Sequence, residues 1–342
     1  MDKDLKNKTL EELQQIIAEY GEKKYFAEYI FSFIHKKNAS RISQISTLGK
    51  AFREKLISDG FFISKVKIAR RDTDPDGTIK YLFEFDDALA VEAVLLFDDD
   101  RTTLCISTQV GCALGCEFCA TGKIEFKRNL TAAEITGQVN AVSQDGFNAT
   151  NIVFMGMGEP LANYDNCLKA VRILNHKAGK DIGIRHLTIS TCGLVEGIKR
   201  LSDENIKPRL AVSLNAATDA LRSKLMPINK KYPLKKLLDA LQYYQYKTGR
   251  RITFEYMLID ELNDTDKDAA ALAGICRKFI CNVNLIEFNP HPLCTFKPPS
   301  GEKISRFAEV LTRAGIKTAV REKKGQNIKA ACGQLGIDFI KK

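Results

Sequence analysis

The alternation of apolar and polar positions changes character twice along the chain. Over the first 60 residues it has helical period. Thr9-Leu10-Glu11-Glu12 is a capping-box signature that opens LEELQQIIAEY. Tyr25, Phe26, Tyr29, Ile30, Phe33 and Ile34 then recur at helical spacing, flanked by Lys23, Lys24, Lys36 and Lys37. A third segment, STLGKAFREKLISDG, ends at Gly60. This predicts a small helical domain over 1–60 with the aromatic stripe in its core. Residues 61–98 switch to β-rich runs, FFISKVKIA, TIKYLFEF and LAVEAVLLF, separated by the turn Asp74-Pro75-Asp76-Gly77. They predict a short β-rich connector.

From residue 99 to 342, strand-like apolar runs alternate with helical stretches. The runs are TLCISTQV, NIVFMGMG, HLTISTCG, RLAVSLNA, ITFEYMLI, VNLIEFNP and KTAVRE. Between them lie helices that include TAAEITGQVNAVSQDG, NYDNCLKAVRILNH, LKKLLDALQYYQYKTG and EKISRFAEVLTRAG. Such alternation predicts an α/β fold, a parallel sheet with helices outside, and this many repeats favours a full or partial (β/α) barrel. The active site is then expected at the C-terminal ends of the strands.

Composition narrows the class. With 342 residues, 44% hydrophobic and 27% charged, the chain is neither disordered nor of low complexity. It holds no run of 18 uncharged apolar residues, and its N-terminus lacks the apolar core of a signal peptide, so a cytoplasmic location and no membrane partner are expected. The net charge of +10 resides at the two ends: residues 1–71 carry +6, residues 321–342 carry +4, and the rest is neutral. A polyanionic partner gripped from outside fits that distribution, as does a solvated basic surface.

Ten cysteines are many for a reducing compartment and too few for a disulfide scaffold, so metal binding or catalysis is expected of some. Cys112, Cys116 and Cys119 form C-x₃-C-x₂-C directly after the strand TLCISTQV. A zinc site wants four ligands, and His35, His176, His186 and His291 are isolated. No fourth cysteine follows at iron–sulfur spacing either. Three thiolates on one loop suit a [4Fe–4S] cluster with one iron open to chelate an amino acid.

This motif after the first barrel strand, with Phe118 before its last cysteine, resembles that of radical S-adenosylmethionine enzymes. The segments CISTQVGCALGCEFCATGKIEFKRNLTAAEITGQV, GMGEPLAN, LMPINKKYPL and AACGQL are similar to those of the bacterial adenine-C2 methyltransferases of 23S rRNA and tRNA. The likeness runs from the N-terminal helices to Cys332. It implies a partial barrel of the radical type and, as cofactors, a [4Fe–4S] cluster and S-adenosyl-L-methionine. It implies as partners 23S rRNA, tRNA and an electron donor such as flavodoxin or ferredoxin, with a monomer as the default state.

Roles carried by the resemblance fall on particular residues. Cys112, Cys116 and Cys119 hold the cluster. Gly158, Glu159, Ser190, Ser213, Leu214, Asn215 and Asn289 bind S-adenosylmethionine, with Asn215 standing where the family commonly has histidine. Cys332 is methylated by a first S-adenosylmethionine, a second supplies a radical, and the resulting methylene adds to adenine C2. Glu92 accepts the C2 proton, its apolar neighbours Val91, Ala93 and Val94 being expected to raise its basicity. Cys105 then attacks Cys332, releasing product and leaving a Cys105–Cys332 disulfide that must be reduced. The family often has an acidic pair before AACGQL, whereas this chain reads Gly325-Gln326-Asn327-Ile328-Lys329, which should ease contact with RNA phosphates. Cys167, Cys192, Cys276, Cys281 and Cys294 are read as structural.

Three rival readings compete with this one. Methylation at adenine C8, the sister activity linked to antibiotic resistance, shares most motifs, and Pro160 in GMGEP favours C2. A radical enzyme on a small metabolite would not need Cys332, Cys105 or a basic helical domain. A non-catalytic iron–sulfur RNA-binding module would not need Gly158-Glu159 or a methylatable cysteine.

Overall fold

The computed structural model describes residues 2–339; Lys341 and Lys342, part of the basic C-terminal stretch, lie outside them. The helical region contains α1 (Leu10–Glu19), α2 (Tyr25–His35) and α3 (Lys50–Ser58). Thr9 caps α1 as its sequence requires: Glu12 N–H donates to Thr9 Oγ1 and Thr9 N–H to the Glu12 carboxylate. The aromatic stripe of α2 divides. Ile30, Phe33 and Ile34 are buried, but Tyr25 and Tyr29 are exposed and cluster with half-buried Phe26. The expected all-core stripe is thus corrected, because α2 packs through Ala27, Ile30, Phe31 and Ile34 and its tyrosine edge has no neighbouring element to cover it.

Strand β1 spans Lys67–Thr73 and does not begin at Phe61, as the β-rich run suggested. Phe61 and Ile63 belong to the helical core, where Phe61 meets Tyr20 edge-on, and the Phe62 carbonyl accepts from Leu5 N–H. Strands β2 (Ile79–Glu84), β3 (Ala90–Asp98) and β4 (Arg101–Cys105) continue antiparallel from β1. A two-stranded pair, β5 (Gln109–Val110) and β6 (Arg128–Asn129), brackets the cysteine loop.

The remaining strands are β7 (Asn151–Phe154), β8 (Leu187–Thr191), β9 (Arg209–Ser213), β10 (Ile252–Leu258), β11 (Cys281–Glu287) and β12 (Thr318–Val320). They join β4 in the order β4-β7-β8-β9-β10-β11-β12, every neighbour parallel. Helices α4 (Ala132–Gln144), α5 (Tyr164–Asn175), α6 (Val195–Asp203), α7 (Asp219–Leu225), α8 (Leu234–Thr248), α9 (Asp266–Cys276) and α10 (Gly301–Arg313) fill the crossovers. Parallel crossovers are right-handed, so strands laid down in sequence order carry all their helices on one face. The sheet curls around its other face and remains open, since β12 pairs only with β11.

Each strand has two faces with opposite chemistry. Ile152, Ile189, Leu210, Val212, Ile252, Phe254, Val283 and Leu285 are fully buried in the core. The alternate register carries polar and small residues: Ser190 pairs with Ala211 and Ala211 with Thr253, and Ser213 pairs with Glu255 and Glu255 with Asn284, before Met257 and Ile286 at the strand ends. A concave face that mixes polar groups with a few apolar ones is suited to meet a ligand. Among the described residues no helix is long and apolar enough to cross a membrane.

Candidate active site

Two cavities open at the C-terminal ends of the strands, as a barrel demands. The inner one, about 150 Å³, is walled by Cys112, Cys116 and Cys119 on one side and by Gly158, Glu159, Ser190, Ser213 and Asn215 on the other. The outer one, about 570 Å³, is walled by Asn289, Arg101, Lys324 and Cys332. Ile286, Arg321 and Cys332 belong to both walls, so Cys332 stands at their partition.

The strand ends are shaped for close approach. Gly158 has φ +99°, and a Cβ there would lie 2.5 Å from Gln109. Glu159 is buried and spans two strand ends. One carboxylate oxygen accepts from Leu161 N–H at 3.0 Å and the other from Cys192 N–H at 2.7 Å, while burial raises its pKa. The Asn215 side chain is spoken for by the protein: Oδ1 accepts from Met257 N–H at 2.9 Å, and the residue adopts φ +58°, a conformation asparagine tolerates. Leu214 is fully buried, and its carbonyl accepts from Arg222. Asn289 faces the outer cavity, where its amide donates to the Cys332 carbonyl at 3.1 Å.

The three loop thiols fit a polynuclear cluster. Among the described residues no three His, Cys, Asp or Glu side chains converge closely enough to hold a single metal ion. The three thiols line one cavity, as a cluster bound through one thiolate per iron requires. Burial pushes Cys112 up to about 12 and raises Cys119, so loading the site would release protons.

The C-terminal segment is stitched to this loop. Ala120 N–H donates to the Gly333 carbonyl at 2.7 Å, and Thr121 Oγ1 donates to that of Leu335 at 2.7 Å. Gly333, φ +85°, passes the Phe118 carbonyl where a Cβ would lie 3.1 Å from the oxygen. Cys105, at the end of β4, is buried, and burial pushes its thiol up to about 12; Cys332 and Arg321 are its ionisable neighbours. Cys105 and Cys332 are thus brought into one electrostatic neighbourhood, both as free thiols.

Glu92 is placed differently from its expected apolar setting. Only 1% exposed, its carboxylate lies 3.0 Å from the Lys80 ammonium and accepts from Gly336 N–H at 2.7 Å. It lines neither cavity wall; the C-terminal segment covers it. Glu92 is therefore paired with Lys80 and is not left among Val91, Ala93 and Val94 alone.

Four residues that sequence reading passed over converge here. Cys192 lies in the inner wall with its sulfur 3.9 Å from that of Cys116. Glu255 sits on the concave face; Asn284 donates to one oxygen, and the other is buried without a partner. Arg321, at the end of β12, stands beside Cys332, Glu255 and Cys105, and these acidic groups raise its guanidinium above its ordinary pKa. Arg222 is fully buried and donates to the Leu214, Cys192 and Ser213 carbonyls, lacing the ends of β8 and β9 together. Spacing could not reveal them, because each reaches the site from a different element: Cys192 follows β8, Glu255 lies within β10, Arg321 follows β12 and Arg222 belongs to α7.

Comparison with known proteins agrees with this architecture. Residues 106–273 match the Radical SAM superfamily, and residues 3–60 match the Ribosomal RNA large subunit methyltransferase N-terminal domain. A dual-specificity RNA methyltransferase RlmN from Syntrophobacter fumaroxidans is 44% identical over 98% of this chain and 98% of its own. A probable dual-specificity RNA methyltransferase RlmN from Dictyoglomus thermophilum is 42% identical over 97% of this chain and 96% of its own. The crystal structure of a radical SAM methyltransferase from Sphaerobacter thermophilus superposes with a TM-score of 0.91, at 43% identity, covering 98% of this chain and 100% of that one.

Proposed function

The chain belongs to the RlmN family of dual-specificity radical S-adenosylmethionine RNA methyltransferases, and from that premise we propose that it methylates C2 of an adenosine in 23S rRNA and in tRNA with Cys332 as the methyl carrier. The observation that carries this reading is the position of Cys332 in the walls of both cavities. A carrier must meet the methyl donor on one side and the RNA base on the other.

In this reading Cys112, Cys116 and Cys119 hold a [4Fe–4S] cluster. Gly158, Glu159, Ser190, Ser213, Leu214, Asn215 and Asn289 form the S-adenosylmethionine site; Leu214 and Asn289 shape it from outside the inner wall. Bound there, cluster and cofactor supply the radical that removes hydrogen from a methyl group. The protein's own part begins with the Cys332 thiolate, which displaces the methyl from the sulfonium and becomes a thioether. The methylene derived from it bonds to adenine C2, which offers no lone pair for ordinary transfer. Glu92 takes the C2 proton once the segment around Gly336 lifts from its carboxylate. Cys105 attacks the Cys332 sulfur, the carbon–sulfur bond breaks toward the product, and a disulfide remains for an external reductant. An electron donor such as flavodoxin or ferredoxin recharges the site, and the chain works as a monomer in the cytoplasm.

Residues 1–60 serve as an RNA-binding domain, 61–98 as connector and 99–342 as catalytic core. The exposed Tyr25 and Tyr29, with Lys23 5.9 Å from the Tyr25 ring, offer bases a stacking surface inside the basic end of the chain. The test is mass spectrometry of 23S rRNA and tRNA incubated anaerobically with the reconstituted enzyme, reductant and S-adenosylmethionine. The expected product is 2-methyladenosine from the wild type and none from Cys332→Ala. 8-Methyladenosine would move the chain to the sister activity, and full methylation by Cys332→Ala would remove the cysteine from the mechanism.

A further inference from the structure

The turn between β1 and β2 does more than reverse the chain. Asp74 and Asp76 close it in the ordinary way: Asp76 N–H donates to Asp74 Oδ1 at 3.2 Å, and Thr78 N–H donates to Asp76 Oδ1 at 2.8 Å. The other oxygen of each reaches a segment some 250 positions away in sequence. Gly325 N–H donates to Asp76 Oδ2 at 2.7 Å, and Asn327 N–H donates to Asp74 Oδ2 at 2.9 Å. The Asn327 amide adds a longer contact to Asp74 Oδ1 at 3.3 Å. Asp74 is 4% exposed while Asp76 and Asn327 are exposed, so these are partly sheltered, charge-assisted bonds, of the kind that fixes geometry.

The bound segment runs directly into Ala330, Ala331 and Cys332. On the far side of Cys332, Glu92 and the Lys80–Asp338 ion pair hold residues 336 and 338. That far anchor must open when Glu92 receives a proton, whereas nothing in the chemistry asks the Asp74–Asp76 anchor to open. Asn327 thus has a partner in the turn, and a carboxylate at 327 would lose the amide donor and face Asp74 across a part-buried contact.

We propose that Asp74 and Asp76 are positioning residues for Cys332: they clamp Gly325 and Asn327 and so form the fixed end from which the methyl-carrying cysteine swings between the two cavities. The proposal rests on reading Cys332 as the methyl carrier. It gives the connector a catalytic duty and makes the Asn327–Asp74 match a feature of this chain.

The experiment uses full-length reconstituted enzyme as wild type, Asn327→Asp, and the double variant Asp74→Asn/Asn327→Asp. In the double variant the amide oxygen at 74 can accept from the residue-327 N–H while its NH2 donates to the carboxylate at 327, at the cost of the contact from Asp76 N–H. Amide hydrogen exchange over residues 325–336 is read together with kcat and KM for RNA. Asn327→Asp is expected to speed exchange about tenfold, the scale of one charge-assisted hydrogen bond, and to lower kcat with KM little changed. The double variant should restore both. Unchanged exchange in Asn327→Asp would overturn the clamp, and so would a double variant no better than the single one, because a role confined to folding the turn predicts no rescue. Peptide mass spectrometry for S-methylation of Cys332 in the wild type keeps the two readings apart. Exchange that responds and is rescued while Cys332 is never methylated would uphold the clamp and reject the carrier.

Discussion

Arg321 shows how much one side chain decides at this site. It ends β12, and its guanidinium stands among Cys332, Glu255 and Cys105 in the wall shared by both cavities. Burial alone leaves Cys105 a neutral thiol near neutral pH, and Arg321 is the cation that opposes this. Removing the charge should raise the thiol pKa further, and the thiolate fraction falls tenfold for each unit of rise. Arg321→Gln is therefore expected to lower turnover roughly tenfold or more near pH 7, with activity recovering as pH increases. A pH–rate profile superimposable on that of the wild type would show that the cysteines do not depend on it. The cluster loop was legible because three cysteines within eight residues form a local pattern. Arg321 and Glu255 were not, and Cys192 was read as structural, since each is a single residue on a different element: Glu255 lies within β10, while Cys192 and Arg321 directly follow β8 and β12. Glu92 was found by resemblance, but its surroundings were misjudged: its partner Lys80 comes from the neighbouring strand β2, and its cover comes from the C-terminus.

Elements were legible in proportion to how local their cause is. The capping box of α1 and the apolar runs of the parallel strands are fixed by residues within a few positions of one another. The stretch Phe61–Val66 carries equally apolar side chains, yet it is claimed by the helical core and forms no strand. Helix α2 shows the same limit from the other direction, because periodicity placed Tyr25 and Tyr29 with Ile30 although no element covers them. That exposed edge has its own test. Tyr25→Ala/Tyr29→Ala should leave the melting temperature nearly unchanged and weaken RNA binding by about tenfold, the scale of base–aromatic stacking. Binding measured by anisotropy at fixed salt decides it, and equal affinity of the variant would assign RNA recognition to another face.

The whole molecule is an open, curled sheet whose concave face mixes polar residues with Met257 and Ile286, with a cysteine-bearing loop at one rim and a cysteine-bearing C-terminal segment laid across it. Sequence order of the strands and right-handed crossovers account for the curl. The stitches Ala120–Gly333 and Thr121–Leu335 account for the meeting of two cysteine motifs more than 200 positions apart. The central claim is that the methyl group reaches RNA by way of Cys332. Its most direct test is to load the enzyme with methyl-deuterated S-adenosylmethionine until Cys332 is labelled, remove the donor, and supply unlabelled S-adenosylmethionine, reductant and RNA for a single turnover. The account predicts deuterium in the C2 methyl of the product, short of the one atom the radical removes, with matching loss of label from the Cys332 peptide. A product methyl free of deuterium, with the label still on Cys332, would contradict it.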